Sequence, residues 1–314
     1  MANISSGSAF VDGELVPIGE ARIPLADVGF ERADCTYDVV GVWDGRFFRL
    51  DDHIERLFRG CERLRIKPPH SKDEIRQILM DLVAHSGLRE SFVRFTITRG
   101  VPTPGERDVR KFVPRMYAYA MPYVWIVSPE QQLEGVGVSV ARNTERNSTK
   151  AFDPTVKSHQ WGDMTRALLE AYDRGSLQAL LLDGDGNVTE GPGYNVFALV
   201  NGTLRTPEYG VLEGITRRSV LEIAEKIGLP TKVDTLAVSE LQTADEVFLT
   251  STAGGIIPIT YVDHHEIGSG RPGDVTLSIR DMYWDMHTDA AYTDEVPYVD
   301  FADYGAGRPS HDAG

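Results

Sequence analysis

The chain reads as a mixed α/β protein built in two parts. Three observations predict this. Hairpin turn signals alternate with amphipathic helical patterns along most of its length. A stretch with two prolines and no clear period, residues 122–135, separates two such series. At 314 residues the chain is long enough for two domains or one large one. The expected organisation is a smaller unit over 1–121, a connecting loop over 122–135, a larger unit over 136–290 and an acidic tail over 291–314.

The elements follow in order. Asp12-Gly13 and Asp44-Gly45 are two-residue hairpin turns, the second joining strands 37–43 and 46–50. A helix over 52–63 places Ile54, Leu57, Cys61 and Leu64 on one face. A second helix spans 71–85, with Ser71 as N-cap and Glu74 completing a capping box. Strands follow at 91–98 and 115–123. The second part opens with a strand at 137–141 and a helix at 162–174. Strands at 179–182 and 196–200, a helix at 216–227, a strand at 246–251 and a helix at 275–286 complete it.

Composition narrows the function classes. The formal charge is −15, which argues against nucleic-acid or anionic-membrane partners, since both reward basic surfaces. No apolar run reaches the roughly 18 residues of a membrane helix. The N-terminal residues lack a signal-peptide pattern, and two cysteines, Cys35 and Cys61, make no disulfide framework. A cytoplasmic location is therefore expected. The eight histidines show no metal-binding spacing, and His264-His265 falls in a hairpin turn. No metal site is expected. Residues 287–314 hold six acids and one arginine, a tail expected to cover a surface or stay partly unfolded.

Lys157 is the most informative residue. The chain has seven lysines against 25 arginines. Lys67, Lys72, Lys111, Lys150, Lys226 and Lys232 lie in polar segments or on wet helix faces. Lys157 instead lies in Pro154-Thr155-Val156-Lys157-Ser158-His159-Gln160-Trp161, just before a helix. A primary amine there reads either as a structural residue or as an imine-forming amine whose pKa falls on burial.

Four further segments bear on that choice. Arg56, one turn into its helix, reads as an ion-pair partner of Glu55 or Asp52, or as a guanidinium held over a phosphate. Leu212-Glu213-Gly214-Ile215-Thr216-Arg217 leads a loop into a helix start, where unpaired N–H groups bind anions and Thr216 is placed to cap. Ser251-Thr252-Ala253-Gly254-Gly255 ends a strand with small donors. Glu190, before a glycine-rich turn, reads as a solvated loop acid or as the partner of a protonated ring nitrogen. An imine lysine, a ring-nitrogen carboxylate and phosphate contacts are together the set that pyridoxal phosphate requires.

The same segments carry a resemblance. Phe48-Arg49-Leu50-Asp51-Asp52-His53 with Arg56-Leu57, Val156-Lys157-Ser158, Thr189-Glu190-Gly191 with Asn195-Val196-Phe197, Gly214-Ile215-Thr216-Arg217 and Ser251-Thr252-Ala253 resemble the fold-type IV pyridoxal-phosphate aminotransferases. That group includes branched-chain and D-amino acid aminotransferases and aminodeoxychorismate lyase. Thr36-Tyr37-Asp38-Val39-Val40, Val42-Trp43-Asp44-Gly45-Arg46-Phe47-Phe48, Pro122-Tyr123-Val124-Trp125 and Gln160-Trp161-Gly162-Asp163 are most similar to its (R)-selective amine transaminases.

The resemblance implies barrel-like sheets flanked by helices in two domains, and a homodimer in which a partner loop completes each site. It implies Lys157 as the Schiff-base lysine and Glu190 on the pyridine nitrogen. Arg56, Ile215, Thr216 and Thr252 would hold the phosphate. Tyr37, Val39, Trp161 and Ala253 would line the substrate side. Arg32 stands where (R)-amine relatives often carry histidine and is expected to clamp a substrate carboxylate, and Arg107, ahead of Arg110, is the candidate carboxylate arginine of the 101–110 loop. The expected reaction moves an amino group from an (R)-amine or D-amino acid to a keto acid such as pyruvate. Branched-chain amino acids, or a lyase reaction of the aminodeoxychorismate type, are the alternatives.

Overall fold

The computed structural model describes residues 6–298. Two mixed layers of strand and helix are built from separate stretches of chain. A seven-stranded sheet runs in the order Thr293–Glu295, Arg46–Phe48, Cys35–Trp43, Ser91–Val101, Val113–Pro122, Ser8–Val11, Glu14–Pro17. Its neighbours are all antiparallel. Helices Leu50–Leu64 and Lys72–Ser86 cover one face, burying Ile54, Leu57, Ile75, Leu79 and Leu82 against Val40, Val93 and Phe95.

The second, eight-stranded sheet runs Thr231–Asp234, Thr203–Pro207, Asn195–Val200, Glu246–Ser251, Gly255–Val262, Val136–Glu145, Gln178–Leu182, with His265–Glu266 attached to Gly255–Val262. It mixes parallel and antiparallel pairs. Helix Gly162–Asp173 packs Met164, Ala167 and Ala171 on one flank, and helices Ile215–Lys226 and Asp274–Asp285 pack on another. Phe48 of the first sheet joins the core around Phe197, Phe248 and Tyr283, so the two halves share apolar contacts.

Local chemistry explains most boundaries. Asp12 and Gly13, like Asp44 and Gly45, have positive φ and close antiparallel hairpins. Ser71 and Glu74 form a reciprocal capping box. His264 sits at positive φ in the turn between Val262 and His265.

Several elements escape the sequence pattern, among them Val28–Arg32, Thr203–Pro207, Thr231–Asp234 and Val238–Gln242. The 122–135 stretch contains a helix, Pro129–Glu134, with Ser128 and Gln131 as a capping box and proline in the first turn. Strand Gly255–Val262 is buried along nearly its whole length, so it shows no alternation; Gly255, at φ 69°, turns the chain into it from Ser251. Within the expected tail, Thr293–Glu295 pairs with Arg46–Phe48 at the sheet edge, and residues 299–314 lie outside the described residues. No helix among the described residues is long and apolar enough to cross a membrane.

Phe95 is fully buried at the centre of the first core. Phe95→Ala is expected to cost about 3–5 kcal/mol through lost burial and a residual cavity. The shift in urea midpoint at constant slope measures it.

Candidate active site

Strand Cys35–Trp43 organises the site. Its backbone N–H at Tyr37 and the Thr36 hydroxyl both donate to the Lys157 carbonyl, at 2.8 and 3.0 Å. These bonds pin the loop that carries Lys157. Six of the seven lysines are exposed; Lys157 is half-buried and lines a cavity of about 370 Å³ between the two sheets. Its Nζ stands 5.0 Å from the centre of the Tyr37 ring.

Arg56 also faces this cavity, but its partner is neither Glu55 nor Asp52. Its Nε and Nη2 donate to the two oxygens of Asp38, each at 2.8 Å, and Nη1 donates to the Glu213 carbonyl at 3.0 Å. Asp38 is fully buried and also takes the His53 ring N–H at 2.8 Å. Burial would push the Asp38 carboxyl up; Arg56 and His53 outweigh it and hold it well below the usual range. Burial pushes the His53 imidazole down, so it is a neutral donor to an ionised acceptor. Asp52 pairs instead with Arg49 and Arg218.

Helix Ile215–Lys226 points its start at the same cavity, with Ile215 and Thr216 on the lining. Its N-cap is Gly214, and no side chain caps it. Thr216 does not serve as the cap, because it stands inside the first turn and its hydroxyl meets Tyr283 at 3.3 Å. The first N–H groups therefore remain for an anion. A Cβ at Gly214 would come within 2.1 Å of Asn195 Oδ1, so only glycine fits this approach. Across the cavity, the Thr252 carbonyl accepts from the Tyr123 hydroxyl, and the buried Thr250 hydroxyl, also on the lining, has no partner among the described residues.

Glu190 lies on the wall with 3% of its surface exposed. Its Oε1 accepts from Arg146 Nε and Nη2 at 3.2 and 3.0 Å, and its Oε2 from the Leu212 N–H at 2.9 Å. Burial pushes its carboxyl up against the pull of Arg146. It is not the solvated loop acid that its sequence position permits.

Tyr37, Val39, Trp161 and Ala253 all line the cavity. Arg32 and Arg107 do not. Arg32 is exposed and pairs with Glu31 at 3.6 Å, and Arg107 is exposed on its loop. Besides Arg56 and Arg146, the cavity is lined by a guanidinium that sequence reasoning missed, Arg94, 3.9 Å over the Tyr37 ring. Its signal is the period of two that places Phe92 and Arg94 on one face of Ser91–Val101, beside Gly41 and Val39. Arg146 and the role of Asp38 were missed as well, since both depend on partners distant in sequence. No cluster of metal-binding side chains occurs among the described residues.

These groups fit pyridoxal phosphate. Arg56, the unpaired helix start and the partnerless Thr250 hydroxyl match a phosphate, and the Glu190 carboxylate matches a ring N–H. Gly214→Ala should loosen cofactor retention at least tenfold by displacing Asn195 or the helix start. Ultrafiltration of the loaded variant, followed by absorbance of the filtrate, measures this; unchanged retention would remove Gly214 from the cradle.

The amino-transferase class IV family matches residues 36–262. A D-alanine aminotransferase from Listeria monocytogenes is 29% identical over 290 residues, covering 87% of this chain and 93% of the relative. The branched-chain aminotransferase of Thermoproteus uzoniensis, solved with norvaline, superposes with a TM-score of 0.84 at 28% identity over 93% of this chain and 99% of its own. That of Thermobaculum terrenum, solved in its PLP-bound holo form, also gives a TM-score of 0.84, at 27% identity with the same coverage. Fold, cavity and likeness agree, and the chain belongs to amino-transferase class IV: it is a fold-type IV aminotransferase that works with pyridoxal phosphate.

Proposed function

We propose that this aminotransferase takes an amino group from an (R)-amine or a D-amino acid and delivers it to a keto acid such as pyruvate, with Lys157 as the catalytic amine. The observation that carries this is the meeting of Lys157, Glu190 and the start of helix Ile215–Lys226 in one cavity. Pyridoxal phosphate, when bound, supplies an electron sink for charge left on the substrate carbon. Lys157 Nζ takes the proton from that carbon and later returns one, as general base and then acid. Glu190 holds a proton on the ring nitrogen. Arg56, the N–H groups of Ile215 and Thr216, and Thr252 hold the phosphate end.

Substrate choice falls to the opposite wall. Arg56 is committed to Asp38, and Arg146 to Glu190 and Asp163. Arg94 has no carboxylate partner among the described residues and faces the cavity beside Tyr37 and Phe92. A half-buried guanidinium with free donors suits a substrate carboxylate. This favours amino acid donors alongside simple amines, and it moves the carboxylate contact from Arg32 and Arg107 to Arg94. The exposed apolar residues Tyr172 and Leu177 at the cavity rim support a homodimer that covers them.

Lys157→Ala should lower turnover by more than about 10²–10⁴-fold while the far-UV spectrum stays unchanged. Normal turnover by the purified variant would overturn the assignment. For substrate class, (R)- and (S)-1-phenylethylamine, D-alanine and L-leucine are added separately, and the cofactor absorbance is followed through one half-reaction. Bleaching by (R)-1-phenylethylamine and D-alanine is expected. A faster reaction with L-leucine than with either would establish the branched-chain alternative. Arg94→Gln should slow the D-alanine reaction by about 5- to 100-fold and leave the (R)-amine within about threefold. Equal losses on both would deny Arg94 the carboxylate contact.

A further inference from the structure

Behind Glu190 lies a charged group that plays no part in the proton transfer above. Arg146 follows directly on strand Val136–Glu145, and its N–H is fixed to the Leu182 carbonyl at 2.8 Å. Its side chain is 8% exposed, and those of Glu190 and Asp163 are each 4% exposed. Arg146 Nη1 donates to Asp163 Oδ2 at 2.6 Å, while Nε and Nη2 reach Glu190 Oε1. Asp163 is itself held by the N–H groups of Asn147 and Met164 at 2.9 and 2.8 Å.

Two carboxylates thus share one guanidinium. The group retains one negative charge in a buried place, which is costly unless a cation joins it. Lys157 and Arg217 also feel Glu190 through space, but neither makes a bond to it. Arg217 is shared with Glu208 and Glu213 and donates to the Pro207 carbonyl. The remaining contacts to Glu190, from Leu212 and Asn195, are neutral.

We infer that Asp163 and Arg146 are positioning residues that set how strongly Glu190 holds the proton on the cofactor's ring nitrogen. Arg146 alone would fix Glu190 in place yet neutralise it. Asp163 cancels the arginine's charge, so Glu190 stays both fixed and negative. The pair therefore tunes the electron sink through Glu190, although Arg146 also reaches the cavity wall. This rests on the proposal that Glu190 faces the ring nitrogen.

Opposite charge changes should act in opposite directions. Asp163→Asn leaves Arg146 unopposed and should lower the pKa of the ring nitrogen. Arg146→Gln removes the cation and should raise it. Each shift should be about one pKa unit or more, the scale expected of a charge within ~4–6 Å in a shielded site. The readout is the ¹⁵N chemical shift of ring-labelled pyridoxal phosphate in the loaded enzyme, followed across pH. Cofactor retention on ultrafiltration should stay at the parent level, because the phosphate cradle is untouched. Shifts in the same direction, or none in either variant, overturn the inference. If Asp163→Asn does not fold, Arg146→Gln alone decides: a lowered or unchanged pKa sinks the idea. Glu190→Gln separates the two levels. If it leaves the ring-nitrogen signal unmoved, the Glu190 reading fails; if it moves the signal and the other two do not, only this inference falls.

Discussion

The Asp38 carboxylate is the constraint on which the site depends. It has no exposed surface, and it accepts from Arg56 twice, from His53 and from the Val39 N–H. Through Arg56 it reaches the Glu213 carbonyl, one residue before the N-cap of helix Ile215–Lys226. One strand of the first sheet thereby fixes the start of helix Ile215–Lys226 in the second half. The same strand holds the Lys157 carbonyl from Thr36 and Tyr37. Removing one member of such a buried pair leaves an uncompensated charge, at a cost of about 3–5 kcal/mol. The pair therefore matters more for where Arg56 stands than for net stability.

The cavity shows how its charges are sorted. Arg56 and Arg146 have carboxylate partners, and Arg94 has none among the described residues. The acids hold Arg56 and Arg146 in place at the cavity wall, whereas the half-buried Arg94 faces the cavity with its donors uncommitted to any acid among the described residues. Interactions in such a shielded space are stronger than in water, so small differences in pairing have large chemical consequences. Trp43, Tyr123, Trp125 and Trp284 form a cluster of mutually packed rings. Its Tyr123 hydroxyl steadies the Thr252 carbonyl.

Much of the architecture was legible in the chain because local rules decide it. The Asp-Gly turns, the Ser71–Glu74 capping box and the apolar face of helix Leu50–Leu64 need only neighbours within four residues. The helix Pro129–Glu134 obeys the same rules, with Ser128 and Gln131, and escapes the pattern because its apolar face is short. Strand Gly255–Val262 is hidden for a different reason: it is buried on both faces, so its sequence carries no period.

By itself the sequence determined the family and the cofactor and singled out Lys157, because motif residues lie in short segments of fixed spacing. It also placed Glu190 and the Gly214-Ile215-Thr216 turn. The tertiary structure decided which arginines are free. Arg56 and Arg146 find their acids 18, 17 and 44 residues away, and Arg94 finds none among the described residues. Arg32, promising in sequence, turns to its neighbour Glu31 at the surface. Charge pairing is a property of distance in space. A linear chain lists the charges, and only the packed sheets say which of them are left unpaired.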